Sequence, residues 1–100
     1  MKTRWETYSA TESAIVNGIL HYLSMAQVMA WKTHDAKHKP CHPGITDIMG
    51  IIRGVCFAIE VKKDTKQILS DAQIAFRDEF RSHKGMWFLM TTIEDAKKII

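Results

Sequence analysis

The run at residues 55–63 (Val-Cys-Phe-Ala-Ile-Glu-Val-Lys-Lys) constrains the fold more than any other part of the chain. Val55, Phe57, Ile59 and Val61 are strand-favouring residues at alternate positions. Cys56 and Ala58 make the opposite face apolar as well, until Glu60. A strand apolar on both faces belongs inside a sheet, with cover on each side. An acid and a base, Glu60 and Lys62, then share one face near its end.

A second apolar run at residues 45–52 precedes it, and Arg53-Gly54 between them is a tight-turn pair. The two runs predict an antiparallel hairpin in which residues whose numbers sum to about 107 face each other. Asp47 then lies opposite Glu60. Two carboxylates placed side by side on buried strands repel each other unless a cation lies between them. Oxygen ligands with water in the remaining positions suit Mg²⁺ or Mn²⁺. Glu-x-Lys alone is most often a surface ion pair, and a lone Asp before a strand most often caps a turn. It is the three together, on one hairpin, that point to a site.

The remaining segments read as follows. Residues 9–29 predict a helix, with Ser9 as N-cap and Glu12 at the capping-box position. Ile15, Ile19, Tyr22 and Ala26 form its apolar stripe, widened by Val16, Leu20 and Leu23. Residues 29–33 suggest a short strand and residues 34–44 a loop. Ser70 opens a second helix with Gln73 at its capping-box position, and Ala72, Phe76 and Phe80 supply its apolar face. Gly85 is its stop. Residues 86–91 read as a buried strand, and Thr92 caps a short final helix carrying Ile93, Ala96, Ile99 and Ile100. The 100 residues suit one domain, residues 1–100, with a central mixed sheet flanked by helices.

Composition narrows the function classes. With 46% apolar and 25% charged residues, the chain is not globally disordered. Two cysteines make no disulfide framework. The N-terminus meets Glu6 before any apolar run, and no run approaches the ~20 residues of a membrane helix. A cytoplasmic protein that is not secreted is expected. The net charge of +3 permits nucleic-acid binding without requiring it. Lys32, Lys37 and Lys39, with His34, His38 and His42, form a basic stretch before Asp47, and Lys62, Lys63 and Lys66 form another. Loops of this kind can grip backbone phosphates. Arg77, Arg81 and Lys84 read more simply as a solvated helix face. The spacing of His34, His38, Cys41 and His42 matches no common structural zinc pattern. Trp5, Trp31 and Trp87 could stack on bases, but Trp31 and Trp87 read better as core residues.

The ordered set Thr11-Glu12-Ser13, Trp31-Lys32, Gly44-Ile45-Thr46-Asp47, Ala58-Ile59-Glu60-Val61-Lys62 and Ser70-Asp71-Ala72-Gln73 resembles the VRR-NUC domain, a branch of the PD-(D/E)xK nuclease superfamily. The resemblance spans residues 9–95. It implies a small restriction-endonuclease-like α/β fold of two layers with an active site on the sheet. It implies that Asp47, Glu60 and the backbone carbonyl of Val61 hold Mg²⁺ or Mn²⁺, with Glu12 joining directly or through water. Lys62 would orient or activate the attacking water and steady the developing charge, and Gln73 would support the site from the second helix. Lys32, Lys37, Lys39 and Lys63 would contact DNA.

Stand-alone members of this length, mainly from phages and bacteria, are similar to Holliday-junction resolvases and act as homodimers. The expected activity is therefore a metal-dependent endodeoxyribonuclease that cuts four-way junctions, leaving a 5′-phosphate and a 3′-hydroxyl. A symmetric junction needs two cuts, which two-fold pairing of one-site chains supplies. The alternatives are a nuclease for flaps, nicks or linear duplex, or a non-catalytic DNA-binding module. One departure stands at the last strand: the family often has a second glycine where Met86 follows Gly85.

Overall fold

A computed structural model describes residues 11–35, 40–64 and 66–100. The first helix, α1 (Glu12–Met25), starts at Thr11, whose hydroxyl accepts a hydrogen bond from the Ala14 N–H at 3.1 Å. Ser9, the expected cap, lies outside the described residues. The helix ends four residues earlier than its apolar pattern suggests. Gln27 takes a left-handed φ of 61°, which breaks the helix and turns the chain into β1 (Met29–Lys32). Ile15, Val16, Ile19 and Leu23 are the buried stripe, while Ala26 is exposed at the cap.

Three further strands follow: β2 (Ile48–Ile52), β3 (Val55–Val61) and β4 (Met86–Met90). The sheet order is β1-β2-β3-β4, with the first three antiparallel and β4 parallel to β3. The hairpin has the register expected from its turn, with Ile48 opposite Ile59 and Ile52 opposite Val55. Arg53 and Gly54 have φ of 51° and 80°, the two left-handed positions that match the twist of the flanking strands. Pairing starts at Ile48 rather than at residue 45. Gly44 is left-handed (φ 73°), and residues 45–47 form an irregular lead-in, tied by the Thr33 N–H to the Asp47 carbonyl at 3.0 Å.

One face of the sheet makes the core. Ile48, Phe57, Ile59, Val61 and Met90 pack against the α1 stripe and against Ala96 and Ile99 of a closing 3₁₀ helix (Ile93–Ile99). Each such side chain stabilises the fold by roughly 1.5–3 kcal/mol through removal from water. Thr92 caps the 3₁₀ helix as expected, in a reciprocal pair with Asp95.

The second helix, α2 (Asp71–Ser82), lies over the other face, so the architecture has three layers instead of two. Its cover is thin. No α2 residue is fully buried, and its firmest contact is with β4, where Arg77 and Arg81 stack over the Trp87 ring at 5.9 and 5.4 Å. Trp87 is buried as expected, at 8% exposure, but Trp31 on β1 is 41% exposed because, among the described residues, no helix lies over that end of the face. The stop expected at Gly85 falls one residue earlier, on Lys84, which takes the left-handed φ of 70°, while the bare Cα of Gly85 lets the chain pass close against the Phe80 ring. Among the described residues, no helix is long and apolar enough to cross a membrane.

Candidate metal centre

The hairpin register brings Asp47, one residue before β2, beside Glu60 on β3. The backbone N–H of Val61 donates to Oδ2 of Asp47 at 2.8 Å. Glu60 is only 5% exposed, and its Oε2 faces two donors: Nε2 of Gln73 at 3.0 Å and Nζ of Lys62 at 3.6 Å. Val61 turns its own side chain into the core.

Two local features set Gln73 in place. The first is a capping box: Ser70 Oγ accepts from the Gln73 N–H at 3.1 Å, and Gln73 Oε1 accepts from the Ser70 N–H at 2.9 Å. The amide oxygen therefore caps the helix while its nitrogen holds Glu60. The capping role and the site role expected of Gln73 belong to opposite ends of one group. The second is Gly44, where a Cβ would come within 2.1 Å of the Ala72 carbonyl oxygen. Its left-handed backbone and bare Cα let the loop before Asp47 lie directly on the first turn of α2.

The electrostatics follow from this crowding. Burial, then the neighbouring Asp47, pushes the Glu60 carboxyl up to about 8, against the pull of Lys62. Burial also raises Asp47, opposed by the Val61 N–H, by His34 and by Lys62. The charge of Glu12 acts on both carboxylates in the raising direction. An isolated pair in this state resists double ionisation.

The donor set fits a hard divalent cation. The hydrogen bonds named above engage Oδ2 of Asp47 and Oε2 of Glu60, leaving Oδ1 and Oε1 as the donors not committed to them. Among the described residues, no three His, Cys, Asp or Glu side chains form a metal-holding group, so Glu12 does not join the pair as a third close donor. Two carboxylates, with water and phosphate oxygens filling the other positions, is the arrangement Mg²⁺ favours.

The other sequence candidates divide. Lys32, at the end of β1, and Lys63, just after β3, are both exposed. The Lys63 N–H is tied to Gln67 Oε1 at 2.6 Å. Lys37 and Lys39 lie outside the described residues, as do His38 and Trp5. His34, which the sequence reading placed only in a basic loop, stands close enough to Asp47 for its charge to act there, and its Nδ1 is 2.9 Å from Thr33 Oγ1. The signal for it was continuation of β1 pairing past Lys32 toward Asp47. His42 goes elsewhere, with Nδ1 2.8 Å from the Pro43 carbonyl oxygen and its ring edge-on to Phe76, so His34 and His42 share no site.

A small mixed sheet with helices on its faces, carrying Asp, Glu and Lys where a hairpin opens, is a PD-(D/E)xK-like arrangement. No family model matches the chain, and no curated protein matches it. Among solved structures, a chain described as a "VRR_NUC domain" superposes with a TM-score of 0.66 and 21% identity, over 90% of this chain and 95% of that one. The fold is that of a VRR_NUC domain, as the motif resemblance implied.

Proposed function

We propose that the chain, as a single domain of residues 1–100, is a divalent-cation-dependent endodeoxyribonuclease that cuts branched DNA as a homodimer in the bacterial or phage-infected cytoplasm. The observation that carries this reading is the pairing of half-buried Asp47 with buried Glu60, and Lys62 3.6 Å from the Glu60 carboxylate. Asp47, Glu60 and the Val61 carbonyl would hold Mg²⁺ or Mn²⁺, with Glu12 acting through water. When bound, the cation supplies charge against the phosphoryl oxygens and acidifies a water. Lys62, largely buried and held beside Glu60, would set its ammonium against the charge developing on the phosphate. Gln73 fixes the Glu60 rotamer from α2. Lys32, Lys37, Lys39 and Lys63 would grip backbone phosphates, giving salt-dependent binding. Two copies would supply the paired cuts that a four-way junction requires.

The test is cleavage of end-labelled four-way junction, flap, nicked and linear duplex DNA with Mg²⁺, Mn²⁺ or EDTA. Junction cleavage that needs a divalent cation is expected. Lys62→Ala should lower it by about two to three powers of ten while DNA affinity stays within a few-fold. A chain that binds DNA but cuts none of these substrates with any divalent ion is not a nuclease, and equal cutting of linear duplex and junction removes the branch preference.

A further inference from the structure

The face of the sheet that carries Glu60 is half open. Through the strand register, Trp31, Met49, Ala58 and Trp87 form one row across all four strands. Met29, Ile51 and Cys56 form the next row, farther from the carboxylates. α2 covers Trp87, and among the described residues no helix lies over the β1–β2 half, where Met29 is 65% exposed, Trp31 41% and Ile51 39%. An indole left on an open strand next to a polar site is the kind of apolar surface that marks a ligand contact.

Its position relative to the carboxylates follows from sheet geometry. Asp47 lies two residues from Met49, and Glu60 two from Ala58, in the same direction. At about 3.4 Å per residue along a strand and about 4.8 Å between strands, the Trp31 Cα is about 8 Å from that of Asp47 and about 12 Å from that of Glu60. A stacked nucleic-acid strand rises about 3.4 Å per nucleotide. A phosphate at the carboxylates therefore leaves a base within two or three nucleotides at the indole. Lys62, two residues beyond Glu60 on the side away from Trp31, adds positive charge at the carboxylate end of this path.

We propose that Trp31 is a stacking platform for an unpaired base beside the scissile phosphate, which makes the substrate class nucleic acid with unpaired nucleotides at the cut. The proposal rests on the nuclease reading above. Bases within a duplex already stack on their neighbours, so only an unpaired base can lie on the ring. A second copy fits this face less well. A stable interface covers about 800 Å² per partner, a patch about 16 Å in radius. Seated on Trp31, it would also cover Asp47 and shut out the phosphate.

The experiment uses the full chain with Ca²⁺ in place of Mg²⁺, and DNA carrying 2-aminopurine at an unpaired position near a branch, beside a fully paired duplex of the same length. Wild type should quench the probe. Trp31→Leu should weaken binding to the unpaired-base substrate about 5- to 100-fold and leave the duplex unchanged. Trp31→Phe, which keeps a ring, should hold most of the affinity and quenching. Leu and Phe variants that behave alike would overturn the platform, as would a Leu variant that weakens both substrates equally. A Leu variant that alters only the sedimentation of the protein would also overturn it and assign the face to a second copy. Trp31-dependent binding without cleavage under any divalent ion sinks the nuclease reading and keeps the platform. Cleavage indifferent to Trp31 sinks the platform alone.

Discussion

Replacing Glu60 with glutamine keeps the shape of the side chain and removes its charge, which isolates the electrostatic cost of the site. Burial and Asp47 place the Glu60 carboxyl at about 8, against 4.5 in an exposed chain. Between these values the folded protein keeps a proton that the unfolded chain has lost. The stability tied to that proton is fully present below pH 4.5, declines as pH rises, and is gone above about 8. At pH 7, 2.5 units above the unfolded value of 4.5, the loss is on the order of 3 kcal/mol at 1.36 kcal/mol per unit. Glutamine suffers no such loss and still offers Gln73 an acceptor. In EDTA at pH 7, Glu60→Gln should therefore melt above wild type by about 10 °C, given about 4 °C per kcal/mol in a domain of this size. The gap should close near pH 4. Saturating Mg²⁺ or Mn²⁺ should raise the melting temperature of wild type and leave Glu60→Gln nearly unmoved. Calorimetry across pH 4 to 8, with and without cation, reads all of this. A melting difference independent of pH, or equal stabilisation of both proteins by cation, refutes the reasoning.

Gln73→Ala removes a cap and the Glu60 anchor together, and should cost about 1–2 kcal/mol in urea unfolding while weakening Mn²⁺ affinity in a titration. Gly44→Ala strains a left-handed backbone and drives a methyl against the Ala72 carbonyl, so it should destabilise the fold by more than about 1 kcal/mol and lower Mn²⁺ affinity by displacing Asp47. Leu23→Ala opens a cavity in the core beneath α1, far from the carboxylates along the chain. It should cost about 2–5 kcal/mol, with Mn²⁺ affinity of the folded fraction unchanged.

Much of the site was legible because the hairpin is locally determined. A turn at Arg53-Gly54 fixes the register of every pair up to Ile48 and Ile59, and hence which acid meets which. The Ser70–Gln73 cap is likewise written in four consecutive residues. The misreadings occurred where distant segments decide. Ile45 favours a strand, but contact between Gly44 and α2 delays pairing to Ile48. Trp31 belongs to an apolar pattern that says a strand is there and cannot say which of its faces goes uncovered. His34 reaches Asp47 only through β1–β2 pairing across a long loop, whose length hides the register. The end of α1 at Met25 was missed because Ala26 fits the apolar period while Gln27 carries the break.

Because a single amide begins a helix at one end and steadies an anion at the other, fraying at the start of α2 and loosening of Glu60 are one event. Anything that tightens the carboxylate must slow the opening of that helical turn. The Ser70 amide proton, lying in the bond that closes the turn, thereby becomes a remote gauge of cation occupancy, readable by hydrogen exchange without observing the cation.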